Sequence, residues 1–242
     1  MGTKFSNRGD AKMIQTRDGS TVGGFLRESH YWPYTLQLMT EIFPQQEIAI
    51  WGGIPRNAVL QSKGLKFPKN GDIDFLVYGE NRDVEERTKH LAGISKNRWG
   101  MIKWNPEPGI VIDISTHQNQ HLARKCNPSS LETSLRSCDL TTSALAYNPR
   151  TLILFDNGAF DAIEKEEVDV LYAEGESAPI LMTRAVMHSQ DLGFRLGERT
   201  VAMIKESYDP SLDRKIAEYL DYKEKIQELD KVLKGLKERA IK

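Results

Sequence analysis

Cysteine is scarce in this sequence of 242 residues, which contains only Cys126 and Cys138. Two cysteines cannot build the disulfide framework that holds many small secreted domains together. The remaining composition, with 39% hydrophobic and 28% charged residues, is ordinary for a globular protein. A chain of this length buries a core large enough to be stable without covalent cross-links.

The sequence also lacks a strong net charge and long apolar runs. Its 33 Lys and Arg residues face 34 Asp and Glu residues, giving a net charge of −1. This balance does not indicate that the whole molecule grips nucleic acid, and it leaves only a local basic patch for that purpose. The opening residues MGTKFSNRGDAK lack the apolar region of a signal peptide, and no run reaches membrane-spanning length. The sequence therefore predicts a cytoplasmic protein without a membrane partner.

Strand and helix patterns alternate through the first three quarters of the chain. Residues 1–27 are polar and glycine-rich, so we expect a loop there, followed by a helix at Tyr34–Ile42. The segments EIAIWGG, DIDFLVYG, GIVIDIST and RTLILFDN predict strands, whereas IPRNAVLQ and DVEERTKHLAGIS predict helices. This order indicates an α/β (α+β) fold in which helices flank a mixed β-sheet.

From Glu176 onward the pattern is helical. The first helical stretch ends at Gly193 and has apolar residues at helical spacings, namely Leu181, Met182, Ala185 and Val186. The last stretch has an apolar seam with alternating steps of three and four, namely Tyr219, Tyr222, Ile226, Leu229, Leu233 and Leu236. We expect an amphipathic helix packed on its own domain. The alternative is a homodimer or another partner bound through this C-terminal helix.

Three aspartates stand on two of the predicted strands. Alternate side chains of a strand share a face, so Asp72 and Asp74 are predicted to point the same way. In GIVIDIST, three isoleucines occupy one face and Asp113 the opposite one. If these two strands are neighbours, the three carboxylates surround one point.

Clustered carboxylates repel one another unless cations neutralise them. Mg²⁺ suits such a cluster because it prefers oxygen ligands and leaves positions open for substrate phosphates. Two ions about 3.5–4 Å apart activate an attacking hydroxyl and stabilise a leaving pyrophosphate. Gly52 and Gly53 precede a predicted helix whose N-terminus favours phosphate. The alternative interpretation of these residues is an ordinary turn and a solvated strand edge.

The same residues resemble the motifs of a known family. GGIPRN at 52–57 and GDIDF at 71–75 resemble the Gly-Gly-x-Val-Arg-Asp and Asp-Ile-Asp motifs of polymerase-β-like nucleotidyltransferases. The likeness is specifically to the head domain of bacterial-type tRNA CCA-adding enzymes and poly(A) polymerases. The blocks SCDLTTSALAYN at 137–148 and SAPILMTRAVMHSQDLGF at 177–194 follow in the family's order. The resemblance spans roughly residues 46–196.

This resemblance implies a division of the chain and a role for each matching residue. Residues 1–45 would be a lead-in with a helix, residues 46–175 the catalytic head, and residues 176–242 a helical neck-like region. Asp72, Asp74 and Asp113 would be the catalytic residues and would hold two Mg²⁺ ions. The nucleotide-binding residues would be Gly52, Gly53, Arg56, Asn57, Asp139 and Arg184. The implied reaction moves an NMP from an NTP to a hydroxyl, most simply that of a tRNA-like RNA 3′ end, and releases pyrophosphate.

Several residues depart from the family's pattern. Asn57 replaces an aspartate, and Ser137 and Cys138 replace paired arginines. The positions that read the incoming base in the family are here Ser177, Ala178 and Leu181. Base selection therefore cannot work in the family's way, so the transferred nucleotide and the acceptor stay open. Besides transfer to RNA, the same chemistry on a protein or small molecule, as in a toxin or defence factor, and a non-catalytic nucleotide-binding scaffold are the alternatives.

Overall fold

The computed structural model describes residues 14–69, 71–97, 100–119, 130–172 and 178–240. The strands in these ranges are β1 (Gln15–Asp18), β2 (Ile48–Trp51), β3 (Ile73–Val77), β4 (Ile94–Lys96), β5 (Ile102–Trp104), β6 (Ile112–Thr116), β7 (Leu145–Asn148), β8 (Ile153–Asp156), β9 (Glu167–Val168) and β10 (Arg195–Leu196). The α-helices are α1 (Ser20–Arg27), α2 (Trp32–Gln37), α3 (Gly53–Ser62), α4 (Asn81–Thr88), α5 (Leu131–Arg136), α6 (Ala159–Glu164), α7 (Ala178–Leu192), α8 (Glu198–Ser207), α9 (Asp213–Tyr222) and α10 (Leu229–Ala240). None of the helices described here is both long and apolar enough to cross a membrane.

Eight of the strands form one mixed sheet in the order β1-β8-β7-β2-β3-β6-β5-β4. Strands β3 and β6 are parallel, whereas every other neighbouring pair in this sheet is antiparallel. Strands β9 and β10 form a separate parallel pair. The predicted α/β (α+β) class with a mixed sheet flanked by helices is confirmed, and the helical C-terminal part follows it.

The two central strands β3 and β6 explain why the carboxylates lie where they do. Ile73, Phe75, Ile112 and Ile114 are buried in the main core on one face of the sheet. Strand alternation turns Asp74 to the other face together with Leu76, which packs in a smaller apolar cluster. On this same face, near the starts of β3 and β6, lie the side chains of Asp74 and Asp113, which are direct partners in the pairing of the two strands.

The N-terminal segment differs from its prediction. Residues 15–27 are not loop, since β1 pairs with β8 and α1 buries Val22 and Leu26. The glycines that indicated a loop instead allow close packing. A Cβ atom on Gly19 would lie 2.5 Å from a ring carbon of Tyr147. The first 13 residues of the predicted lead-in lie outside the described ranges.

The helix predicted at Tyr34–Ile42 is present as α2 followed by a π-helical turn at Leu38–Ile42. At the C-terminal side, α7 buries the four predicted apolar residues and ends before Gly193, whose φ is +72°. Both features confirm the spacing arguments made from the sequence.

The seam at the C-terminus does not form one helix, so that prediction is wrong. The chain turns at Lys223–Lys225, and Glu224 has a φ of 56°. The seam is thereby divided between α9 and α10, which fold back on α7 and α8. A Cβ on Gly235 would lie 2.8 Å from Val186 Cγ1, so α10 needs glycine to approach α7 this closely. Packing on its own domain is confirmed, and a homodimer through this segment stays a prediction.

Candidate active site

The structure brings the three predicted carboxylates together. Asp74 and Asp113 are direct partners in the parallel pairing of β3 with β6, and Asp72 immediately precedes β3. One carboxylate oxygen from each of the three lies within 4.8 Å of the others. Asp72 is exposed, whereas Asp74 and Asp113 are half-buried. The arrangement opens to solvent at Asp72 and closes toward the sheet.

Burial makes this cluster electrostatically costly. Burial, and then the charges of Asp72 and Asp113, raise the pKa of Asp74 to about 8. Burial also raises the pKa of Asp113, against the opposing charge of Lys103. A carboxyl whose charged form is this disfavoured needs a cation to stay ionised at neutral pH. The cluster therefore fits positively charged ligands.

Lys103 on β5 faces Asp113 from the neighbouring strand. The two residues are antiparallel partners, and Lys103 Nζ lies 3.8 Å from Asp113 Oδ1. That separation is longer than a hydrogen bond. Asp113 Oδ1 is buried and accepts no hydrogen bond from any described residue. An acceptor oxygen in this condition has a position open for a metal ion.

The glycine turn lies directly beside the carboxylates. Gly52 is the N-cap of α3 with a φ of 72° and a ψ of −116°, a conformation that favours glycine. A Cβ on Gly52 would lie 3.5 Å from Asp74 Oδ2. Gly53 is the first residue of α3, and the first N–H groups of a helix have no partner within the helix. The N-terminal end of α3 therefore starts next to the carboxylate cluster.

Arg56 and Asn57 lie below the turn, inside the protein. The Arg56 side chain is only 6% exposed, donates from Nε to Asn57 Oδ1 at 3.1 Å, and lies 3.4 Å from His188 Nδ1 through Nη1. Burial lowers the pKa of Arg56 to about 10, so the guanidinium stays charged at neutral pH. Asn57 Nδ2 donates to the carbonyl of Pro68 at 2.7 Å and so ties α3 to the loop that leads to β3.

Asp139 and Arg184 meet although they lie 45 positions apart in the chain. Arg184 Nη1 lies 2.8 Å from Asp139 Oδ2, so α7 is joined to the segment before β7. The charge of Arg184 also lowers the pKa of Asp74. This pair thus belongs to the electrostatic surroundings of the carboxylates. Of the three altered base-reading positions, Leu181 is buried and Ser177 lies outside the described residues.

Two members of this neighbourhood were not predicted from the sequence. Lys103 could not be identified because its contact with Asp113 depends on the strand register. His188 could have been found from the sequence, because it follows Arg184 by four residues on α7 and therefore lies on the same face of the helix. Burial, and then the charges of Arg56 and Arg184, keep the pKa of His188 well below its usual range. His188 is therefore a neutral partner for Arg56.

Comparison with known proteins gives structural neighbours only. No protein-family model matches the chain, and no curated protein matches it. An apo form of a CCA-adding enzyme matches with a TM-score of 0.68 and 21% identity, over 93% of this chain and 55% of that enzyme. The complex of a CCA-adding enzyme with ATP matches with a TM-score of 0.60 and 23% identity, over 79% of this chain and 46% of that chain. The Thermotoga maritima CCA-adding enzyme bound to tRNA matches with a TM-score of 0.58 and 22% identity, over 91% of this chain and 55% of that chain.

These matches establish the fold. At 21–23% sequence identity, the matches do not show the substrate or the activity of this chain. The chain spans about half the length of these enzymes, with 46–55% of each covered. The function therefore has to be argued from the residues of the site itself.

Proposed function

We propose that this protein is a Mg²⁺-dependent nucleotidyltransferase that moves an NMP from an NTP to a hydroxyl acceptor and releases pyrophosphate. The acceptor we favour is an RNA 3′ end of the tRNA type. The proposal includes the division into a lead-in at residues 1–45, a catalytic head at 46–175 and a neck-like region at 176–242. It also includes a cytoplasmic location.

One observation carries the proposal. Three carboxylates from two adjacent strands converge within 4.8 Å, beside a glycine turn that opens α3. A fold shared with CCA-adding enzymes supports the same conclusion, because some of those structures contain ATP, CTP or tRNA. A scaffold without catalysis is less consistent with this site, since an unused cluster of buried carboxylates destabilises the folded state.

The residues present fit Mg²⁺. All three donors are carboxylate oxygens, the ligand type that Mg²⁺ prefers, and Asp113 Oδ1 has no hydrogen-bond donor among the described residues. Asp72, Asp74 and Asp113 would hold two ions. When bound, the ions would supply charge for the phosphates and for the developing negative charge of the reaction.

The chain's own residues would bind and orient the nucleotide. The backbone of Gly52 and Gly53, at the start of α3, allows a phosphate to approach the positive end of the helix dipole. Arg56 contributes a buried positive charge below this turn and is held by Asn57 and His188. The Asp139–Arg184 pair fixes α7 against the head, so the nucleotide would be supported from that side. Most of the rate gain would then come from positioning and from fixed charges.

Labelled nucleotides test the proposal directly. The purified protein is incubated with Mg²⁺, each of the four α-labelled NTPs in turn, and total RNA. We expect label in RNA from one or more NTPs. The double variant Asp72→Asn/Asp74→Asn should incorporate none, while Asp83→Asn, which removes an exposed carboxylate on α4, should match the native chain.

Three other outcomes separate the alternatives. Label in added protein or in a small molecule, but not in RNA, would retain the chemistry and replace the acceptor. Incorporation that survives the double variant would place the chemistry elsewhere. No incorporation by the native chain, together with no binding of any NTP, would contradict the proposal.

A further inference from the structure

The pairing of five strands places one row of side chains across the face of the sheet that carries the carboxylates. Asp74 lies opposite Asp113 on one side and opposite Trp51 on the other. Trp51 lies in turn opposite Ala146, and Asp113 lies opposite Lys103. Side chains directly opposite each other in an antiparallel pair share a face, with Cβ atoms about 4.5–5.5 Å apart. The two strand carboxylates therefore have a cation on one side and an aromatic ring on the other.

Trp51 is the last residue of β2, and its side chain is only half-buried. It packs against the smaller apolar cluster, which includes Leu76 and Ala146. That cluster fixes the position of the indole, because a large ring loses its freedom to move when one part of it is packed. The rest of the ring system is exposed to solvent in the same row as Asp74.

Trp104 shows how a tryptophan of the core is packed in the same chain. Its side chain is 4% exposed, its Nε1 donates to the carbonyl of Ala92 at 3.0 Å, and its ring meets that of Tyr34 edge-on at 5.5 Å. Within the described ranges, Trp51 has neither a second aromatic ring against it nor a hydrogen bond from Nε1. Buried tryptophans usually have such a hydrogen bond. Trp51 is therefore exposed and less fully packed than a core residue of its type.

We propose that the indole of Trp51 stacks on a nucleobase at the active site. This inference rests on the proposed function, since it concerns the same site. Trp51 directly precedes the Gly52 turn, where the triphosphate would bind, and lies beside Asp74, where the hydroxyl and the phosphate would react. A single sugar separates a base from the triphosphate of an NTP, and likewise from the 3′ hydroxyl of an RNA. The stacked base belongs either to the incoming NTP or to the last nucleotide of the acceptor.

Stacking on an aromatic ring gives affinity without reading the identity of the base, because every base has a π face. Trp51 would therefore bind the four bases to a similar extent. A different role for Trp51 is to complete the apolar cluster and nothing more. In that role its loss would disturb the site as a whole, whether or not the ligand has a base.

The test compares Trp51→Leu with Phe155→Leu, which removes a matched aromatic side chain. Phe155 is also half-buried, packs against the same cluster and lies opposite Ala146 in the same row, but two strands further from the carboxylates than Trp51. Isothermal titration calorimetry with Mg²⁺ measures the Kd of each NTP and of pyrophosphate, which has no base. It also measures a short RNA that ends in a 3′ hydroxyl, and the same RNA without the base of its last nucleotide.

The two sources of the base give different results. If the base belongs to the NTP, Trp51→Leu should raise the Kd of all four NTPs roughly ten-fold and leave that of pyrophosphate unchanged. If it belongs to the acceptor, Trp51→Leu should weaken the intact RNA roughly ten-fold and leave the RNA without the last base unchanged. Phe155→Leu should change none of these values, and Trp51→Phe, which keeps a ring, should retain most of the affinity.

A second measurement does not depend on the folding of the leucine variant. Stacking of a base on an indole quenches its fluorescence, and Trp51→Phe removes one of the four tryptophans of the chain. The ligand whose base stacks should quench the native chain more than Trp51→Phe, whereas pyrophosphate should quench neither. Equal quenching in the two chains, or none in either, would overturn the stacking.

The remaining outcomes separate this inference from the function on which it rests. A native chain that transfers label, with equal Kd values for every base-containing ligand in Trp51→Leu and Phe155→Leu, would overturn the stacking and leave the function intact. An equal loss of affinity for ligands with and without the base would overturn it in favour of packing. A native chain that binds no NTP and labels no acceptor would contradict both proposals.

Discussion

The centre of the sheet and the C-terminal helices bury different kinds of side chain. Strands β3 and β6 hold half-buried carboxyl groups whose charged forms are disfavoured by burial. In α9 and α10 the fully buried side chains are apolar, namely Ile216, Leu220, Val232 and Leu236, and most of the charged residues are exposed. Helices α7 to α10 thus add stability through apolar burial, whereas the carboxylate cluster reduces it because burial disfavours the charged forms of Asp74 and Asp113.

Because of this contrast, substitutions in the two regions should differ in whether they change the activity or the free energy of unfolding. A change at the carboxylates should affect activity and leave the fold intact. A change at a buried helical position should affect the free energy of unfolding first and activity only as a consequence. Of the four predictions below, those at Asp74 and Leu236 test that division, and the one at His117 tests a buried neutral group beside β6.

The largest effect is expected on activity at Asp74. Asp74→Asn keeps the shape of the side chain but removes one ligand charge, and we expect incorporation of label to fall by roughly 10³-fold or more. The exposed Asp83→Asn serves as the control. Residual activity within ten-fold of the native chain would mean that the carboxylates are not the site.

The next effect is expected on stability in α10. Leu236 is fully buried, so Leu236→Ala should lower the free energy of unfolding by about 2–5 kcal/mol. Leu233 lies one turn away and is only half-buried, so Leu233→Ala should cost clearly less. Urea unfolding followed by circular dichroism measures both. Equal losses in the two variants would show that α10 does not pack as described.

The third effect concerns pH and His117, which follows β6 and lies next to Ser134 Oγ at 2.9 Å. Burial lowers the pKa of His117 from 6.5 to about 4. The unfolded chain therefore takes up a proton near pH 6.5 while the folded chain does not, so stability falls as the pH drops through this window and levels off below about 4. Between about pH 7.5 and 5 this group should cost about 2 kcal/mol.

The control for this prediction is His117→Gln, studied by urea unfolding at both pH values. Its stability should fall less than that of the native chain over the same interval. Some pH dependence should persist, because His188 is also buried in its neutral form. An unchanged pH dependence would mean that His117 takes up protons in the folded chain.

The smallest effect is a gain in stability. Without divalent cations, Asp74→Asn removes one of three mutually repelling charges and should raise the free energy of unfolding by about 0.5–2 kcal/mol near pH 8. Adding Mg²⁺ should stabilise the native chain more than the variant and so reduce the difference. A variant that is less stable than the native chain under both conditions would show that Asp74 has a structural role.

The sequence predicted on which strand faces the three carboxylates lie, because that prediction depends only on neighbouring residues in the chain. A strand repeats every two residues, so Asp72 and Asp74 had to share a face and Asp113 had to oppose the isoleucines of β6. Helix α7 was predicted from the sequence for a similar reason, because four apolar residues at helical spacing lie on one face of a helix and that face is buried. The pairing of β3 with β6 was an additional assumption, which the structure confirms.

Other features depended on contacts between distant residues. The glycines near Gly19 looked like loop residues, although their role is to let α1 approach Tyr147. Lys103 meets Asp113 only through the register of β5 on β6. The roles predicted for the nucleotide-binding residues stay predictions, but the inward direction of Arg56 toward His188 was not foreseeable from a motif.

The chain alone indicated the mixed α/β class, most of the elements between residues 34 and 193, and the face of its strand on which each of the three carboxylates lies, since these follow from the short periods of strands and helices. Only the tertiary structure decided that the C-terminal seam breaks at Glu224, that Lys103 lies beside Asp113, and that Arg184 pairs with Asp139. The physical reason is distance along the chain. Periodicity indicates which face of a helix or strand is buried. Packing between segments far apart in the sequence decides which element covers that face, and therefore which charged side chains lie near it.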